Sequence, residues 1–180
     1  MGLMSHEPPS RESLFKSWDE AYQRILWKVT RSFAVSQADA SDLHHEMRLQ
    51  LWHSTNAFKG TAKASTWVYR VCLNTAMTWR RSLVRRQQKI NVTTDVDVLA
   101  TEDASPAESM GERELIDRLY ASILQMAEFD RALVLLSLDG LSYREMAEIT
   151  GLTENHIGVG LTRARKRLTE LMKGITNELE

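Results

Sequence analysis

Residues 140–168 read GLSYREMAEITGLTENHIGVGLTRARKRL, and this stretch decides the fold. Ser142 can cap a helix while Glu145, three residues on, reaches back to the same turn, the pattern of a capping box. Met146, Ala147 and Ile149 supply the apolar side of that short helix, and Gly151 offers the left-handed position that ends it. Thr153 then starts a longer helix with Ile157, Leu161, Ala164, Leu168, Leu171 and Ile175 on one face. A short capped helix, a tight turn and a second helix rich in Arg and Lys form a helix-turn-helix, whose second helix lies in the major groove with its N-terminal residues at base edges. Thr153, Glu154, Asn155 and His156 occupy those positions and can hydrogen-bond to bases. Arg163, Arg165, Lys166 and Arg167 lie further along and suit phosphate contacts. The blander alternative is a helical hairpin with a solvated basic face.

Working outward, Leu115, Ile116, Leu119 and Ile123 predict a helix, and a second runs from about Asp130 to Leu138, stopping at Gly140. From Asn91 to Ala107 no period is sustained. That stretch holds Asp95, Asp97, Glu102, Asp103 and Pro106 but no Lys or Arg, as a linker between domains would. Before it, Leu14, Phe15, Trp18, Tyr22, Ile25, Leu26, Val29 and Phe33 form one broad helical stripe after a lead-in with Pro8, Pro9 and Ser10. Ser36 followed by Asp39 predicts the start of a helix bearing Leu43, Met47 and Leu51. Phe58-Lys59-Gly60 breaks the pattern. A long helix follows from about Ser65, with Val68, Cys72, Ala76, Trp79 and Leu83 on one side. On the other side Arg70, Asn74, Arg81 and Arg85 make a polar track suited to a nucleic-acid backbone. Trp67 and Tyr69 fit either rings stacked on unpaired bases or core anchors. The chain therefore reads as all-α, with a helical domain at 10–90, a flexible acidic linker at 91–108 and a helix-turn-helix domain at 109–175.

The overall charge conceals a division. Residues 1–90 hold 14 Lys and Arg against 7 Asp and Glu, whereas residues 91–180 hold 9 against 17. Such segregation suggests a polyanion-binding half joined to an acidic one. The longest purely apolar run, Ala132 to Leu136, is far too short to span a bilayer. A single cysteine, Cys72, excludes an internal disulfide framework and fits a reducing compartment. A cytoplasmic protein without membrane insertion is expected. No glycine-rich phosphate loop, nucleophile triad or paired-carboxylate signature appears. His44 and His45 point to different helix faces, and with His53 they make no metal-ligand spacing. Neither a metal, a cofactor nor an enzymatic activity is expected.

The segment from Ala40 to Trp52, with Phe58-Lys59-Gly60 and then Thr66 to Asn74, resembles region two of sigma-70-type sigma factors. Gly140 to Glu148 and Arg163 to Leu168 are similar to region four. Two domains with a short linker match the extracytoplasmic-function group, over residues from about 14 to 173. The resemblance implies that Asp42, Leu43, His45, Glu46 and Leu49 dock on the clamp helices of core RNA polymerase, a partner reached through its beta and beta-prime subunits. It implies that the loop from Phe58, Lys59 and Gly60 to Ser65 and Thr66 holds a base flipped from the minus-ten element, with Asn74 beside it; Trp67, Arg70, Arg81 and Arg85 complete the expected DNA-binding set of this half. Residues 153–167 would read the minus-thirty-five element of promoter DNA. A separate anti-sigma factor would hold the protein inactive. Four features depart from the family pattern: His45, Arg48, Met126-Ala127 and Gly158-Val159-Gly160. The glycines predict lost phosphate contacts and altered upstream reading. The rival reading is a helix-turn-helix regulator that acts without polymerase, which would bind duplex DNA tightly by itself.

Overall fold

The computed structural model describes residues 10–90 and 110–177, and all secondary structure among them is helical. The elements are α1 (Arg11–Ala21), α2 (Gln23–Phe33), α3 (Gln37–Ser54), α4 (Ala64–Ile90), α5 (Met110–Leu124), α6 (Glu128–Leu138), α7 (Tyr143–Thr150) and α8 (Glu154–Asn177). The acidic stretch 91–108 and the lead-in with Pro8 and Pro9 lie outside the described residues.

Local signals place most helix ends. Ser10 accepts from the Ser13 amide and Ser36 from the Asp39 amide, each closing one orphan donor of a first turn. The broad stripe expected from Leu14 to Phe33 is divided between two helices, because Tyr22 leaves helical geometry at φ −116°, ψ 19°. Its carbonyl takes both the Ile25 and Leu26 amides, so the interruption is one residue wide. The helix expected from about Asp130 starts two residues earlier, at Glu128, with no side-chain cap. Asp130 instead accepts from Arg163 at 2.7 Å.

Leu26, Val29, Phe33, Leu43, Met47, Leu51, Val68, Cys72 and Ala76 are sealed in the first four helices. Leu133, Leu136, Met146, Ile157 and Leu161 are equally buried in the last four. These two groups form one continuous apolar cluster rather than two. Contacts between the halves run from α4 to α7 and α6, and from α2 to α5 and α6. A second, smaller cluster sets Trp27 against Tyr120, Ile123 and Val134, with the Trp27 and Tyr120 rings edge-on at 5.8 Å.

Polar groups cross the same junction. Arg31, only 3% exposed, pairs with Asp117 and lies 4.2 Å above the Tyr120 ring. Lys28 pairs with Asp139, which also accepts from the Tyr69 hydroxyl. Arg131 donates to the Met126 and Ser32 carbonyls and sits 5.7 Å from the centre of the Phe33 ring. Burial, with Arg80 nearby, lowers its guanidinium to about 10. Among the described residues, Thr30 Oγ1, Arg31 Nε and Nη1, Ser32 Oγ and Arg80 Nη1 are buried without a hydrogen-bond partner.

Candidate nucleic-acid and protein interfaces

Helix periodicity sorts α3 into two faces. Leu43, Met47 and Leu51 point into the core, so Asp42, His45, Glu46 and Leu49 must look outward. These four residues form one wall of a groove, and Asn74, Thr75, Thr78, Trp79, Ser82 and Arg86 of α4 form the other. Leu49 is 49% exposed one turn beyond Glu46, an apolar side chain on a face that also carries Asp42 and Glu46. Glu46 is held only by Gln50 of its own helix, at 2.9 Å, and the His45 Nδ1 donates to the Ser41 carbonyl at 2.8 Å. Leu43, expected to dock with the others, is fully buried and supports the helix from beneath. The departure at Arg48 has a local account, since its guanidinium makes a two-pronged pair with Asp19 at 2.7 and 2.8 Å.

The loop before α4 turns its rings inward. Phe58 meets Trp18 edge-on at 5.0 Å and Trp67 at 5.6 Å, and the Trp67 Nε1 donates to Ser54 Oγ. Thr66 is buried, whereas Lys59 and Gly60 are exposed and Ser65 is half-buried. Gly60 has φ 71°, a conformation that favours glycine at the loop's tip. Tyr69, one of the two rings weighed for base stacking, is 4% exposed and serves the core.

The polar track along α4 separates. Asn74 faces the groove. Arg70 donates to the Glu148 carbonyl of α7, and Arg81 pairs with Glu128 of α6 at 3.1 Å. Arg85 donates to the Arg81 carbonyl. Lys63 makes a further bridge to Glu145, at 2.9 Å.

The helix-turn-helix is built as its sequence requires. Ser142 and Glu145 form both arms of the capping box, and Gly151 ends α7 at φ 76° with its amide on the Ala147 carbonyl. Thr153 accepts from the His156 amide, and Thr153, Glu154, Asn155 and His156 are all exposed. Arg163 and Arg165 are exposed but tethered to α6, through Asp130 and Ser137 respectively, each at 2.7 Å. Lys166 and Arg167 are exposed, Arg167 lying 3.6 Å from Glu170.

The glycines of α8 have separate reasons. Gly160 is buried against α6, where a Cβ would stand 2.8 Å from Leu133 Cδ1. No phosphate contact is lost there, because position 160 faces the core. Tyr143, Val159 and Thr162, none of them among the expected DNA-binding residues, share a shallow surface with Asn155, Arg163 and Lys166. The spacing 155, 159, 162, 166 was the available signal.

Hydrogen bonds from Lys63 and Ser142 bring the Glu145 carboxyl down to about 2. Its folded value is thus below its unfolded one, so its contribution is complete above about 4.5 and fades as pH falls toward 2. Thermal unfolding of the protein is expected to lose stability between pH 5 and 3, and Glu145→Gln to lose less over that window. Identical slopes for the two proteins would remove the assignment. Among the described residues no group of three His, Cys, Asp or Glu is arranged to hold a metal ion, and no helix is long and apolar enough to cross a membrane.

Comparison with known proteins adds an independent line. The model for sigma-70 region 2 matches residues 19–86, and that for sigma-70 region 4 matches residues 116–168. The chain is 26% identical over 175 residues to the ECF RNA polymerase sigma factor SigE of Mycolicibacterium smegmatis, covering 93% of this chain and 66% of that protein. It is 28% identical over 145 residues to the ECF RNA polymerase sigma-E factor of Escherichia coli, covering 74% of each. Among solved structures it resembles the sigma factor RpoE of Bartonella quintana, crystallised with the anti-sigma factor NepR. That match has a TM-score of 0.69 at 20% identity, over 88% of this chain and 98% of that one. CnrH, in complex with the cytosolic domain of CnrY, matches with a TM-score of 0.62 at 18% identity, over 91% and 90%.

Proposed function

The chain belongs to the extracytoplasmic-function group of the sigma-70 family, and from that premise we propose that it binds core RNA polymerase, selects promoters and helps to open them. It acts in the cytoplasm and catalyses no reaction of its own. Residues 10–90 serve as the region-two domain, 91–108 as the linker and 109–175 as the region-four domain. The observation that carries the reading is the groove between α3 and α4. One wall presents Asp42, His45, Glu46 and Leu49, and the other presents Asn74. A protein-docking edge and a strand-reading edge thus share one trough, which a regulator that works alone would not need.

Clamp docking falls to Asp42, His45, Glu46 and Leu49. Lys59, Gly60 and Ser65 ring the loop, with Phe58, Thr66 and Trp67 as its rigid backing, and Asn74 stands at the flipped base. Flipping costs a few kcal/mol of stacking, so a shaped and rigid pocket is needed to recover it. Arg70, Arg81 and Arg85 follow the strand. Thr153, Glu154, Asn155 and His156 read the upstream element, while Arg163, Arg165, Lys166 and Arg167 hold its phosphates.

Arg70 and Arg81 contact the second half in the structure, so DNA must displace α6 and α7 to reach them. The bridges Lys63–Glu145 and Arg81–Glu128 lie open to solvent, so each does little to hold the halves together. A protein that holds the halves together would keep Arg70 and Arg81 engaged with α7 and α6 and so withheld from the strand. An anti-sigma factor is the partner of that kind: the RpoE neighbour is in complex with the anti-sigma factor NepR, and CnrH is in complex with the cytosolic domain of CnrY.

In vitro transcription with core polymerase over a random promoter library tests the function: the protein should select a two-part promoter, and tight duplex binding without polymerase would argue for the solitary regulator. Arg163→Ala with Arg165→Ala is expected to weaken promoter binding across sequences and flatten its salt slope by about one unit per lost phosphate contact. Asn74→Ala is expected to slow opening, read with permanganate, while leaving closed-complex binding near the parent value. Matching defects in the two variants would refute the division of labour.

A further inference from the structure

The outward face of α8 carries an apolar side chain that nothing in the fold covers. Val159 is 66% exposed, more than any other large hydrophobic among the described residues. It lies one turn beyond Asn155 and one turn before Thr162 and Arg163, with Lys166 closing the same surface. Glycines flank it on both sides. Two glycines and a β-branched residue inside a helix carry a propensity penalty. Gly160 is accounted for by Leu133. Gly158 is not, since it lies half-buried at the edge of the same exposed face. A Cβ there would stand 3.3 Å from Cε2 of the Tyr143 ring, so any side chain would press on the tyrosine. Without one, a shallow notch remains between Val159 and Tyr143, whose ring is itself 42% exposed.

The notch has an apolar centre and a rim of hydrogen-bonding and cationic groups: Asn155, Thr162, Arg163 and Lys166. The edge of a duplex presents the complementary pattern. Phosphates and base heteroatoms surround it, and the apolar group it exposes in the major groove is the 5-methyl of thymine. Resting on the reading of α8 as the upstream-element helix, the geometry points to Val159 as a specificity-determining residue that packs on a thymine methyl. Gly158 leaves room for the Tyr143 ring, which bounds the other side of the contact. The element this protein reads therefore contains an A·T pair opposite the second turn of α8, selected by shape as well as by hydrogen bonds.

The test uses the full chain with core polymerase and a promoter taken from library selection. Each thymine of the upstream element is replaced in turn by deoxyuridine, which removes the methyl and leaves every hydrogen-bonding group. At one position the substitution should weaken competition for binding by about fourfold, the ratio that ~0.8 kcal/mol for one buried methyl gives. Val159→Ala should bind the thymine and uracil promoters equally, and Val159→Ile should keep the difference. Val159 is exposed and alanine favours the helix, so the fold is not at risk. A selected upstream element with no uracil effect at any position, or one with no A·T pair, overturns the methyl contact while leaving upstream reading by α8 in place. A full thymine preference in Val159→Ala also overturns it and assigns the patch to a protein partner. A library that shows no upstream preference at all removes base reading by α8 itself.

Discussion

Reversing Asp42 and Glu46 to lysine together is expected to lower the affinity for core RNA polymerase by at least 100-fold and to abolish promoter-directed transcription. Both side chains line the α3 wall of the groove, beside the exposed Leu49. Truncating one member of a desolvated charge pair at an interface costs about 2–5 kcal/mol, and reversal adds repulsion to that loss. The fold should be spared. Among the described residues the one hydrogen bond to either carboxylate is that from Gln50 to Glu46, on the same helix, and the buried side of α3 is carried by Leu43, Met47 and Leu51. Pull-down of polymerase subunits gives the affinity, and circular dichroism gives the fold. A folded double variant that still captures polymerase would place the docking face elsewhere.

The second large effect is on stability. Phe33→Ala is expected to cost about 3–5 kcal/mol, a large part of the total stability of a domain of this size. Phe33 is fully buried at the end of α2, close to Arg131 from the other half. Removing the ring both opens a cavity and takes away the surface on which the lowered Arg131 guanidinium rests. Because all five tryptophans precede residue 80, their fluorescence follows the first half and, through Trp27 against Tyr120, its junction with the second, while circular dichroism follows all the helices. In the parent protein the two signals should change together on adding denaturant, as one shared core requires. In Phe33→Ala they should separate. Coincident transitions at an unchanged midpoint would show that Phe33 does not join the halves.

Features encoded within a few residues were legible in the sequence. The Ser142–Glu145 capping box, the Gly151 end and the Ser36 cap each join groups no more than four positions apart, and each stands in the structure as read. The two faces of α3 followed from its period, and of the two roles the sequence offered Leu43, apolar stripe and docking, burial assigns it to the core. The junction between the halves was not legible as such, since its pairs lie between 47 and 111 residues apart. A trace of it was visible in the charge division. Lys28, Arg31, Lys63 and Arg81 from the basic half meet Asp139, Asp117, Glu145 and Glu128 from the acidic half. The asymmetry that suggested an external polyanion thus also describes an internal one. Trp67 and Tyr69 were ambiguous because a ring suited to stacking is equally suited to a core, and only tertiary contacts separate the two.

Cys72 is the lone thiol of the chain and is completely sealed in the first-half core, where burial raises it to about 12. Its sulfur therefore keeps time. An alkylating reagent reacts with the thiolate, so in the native protein the label can arrive only during excursions that bring α4 to solvent. At saturating reagent the labelling rate becomes the rate of those excursions, with no introduced probe. If parting of the halves alone exposes Cys72, polymerase and promoter DNA should quicken the label. If the first-half core must also dissolve, they should slow it to the pace of global unfolding.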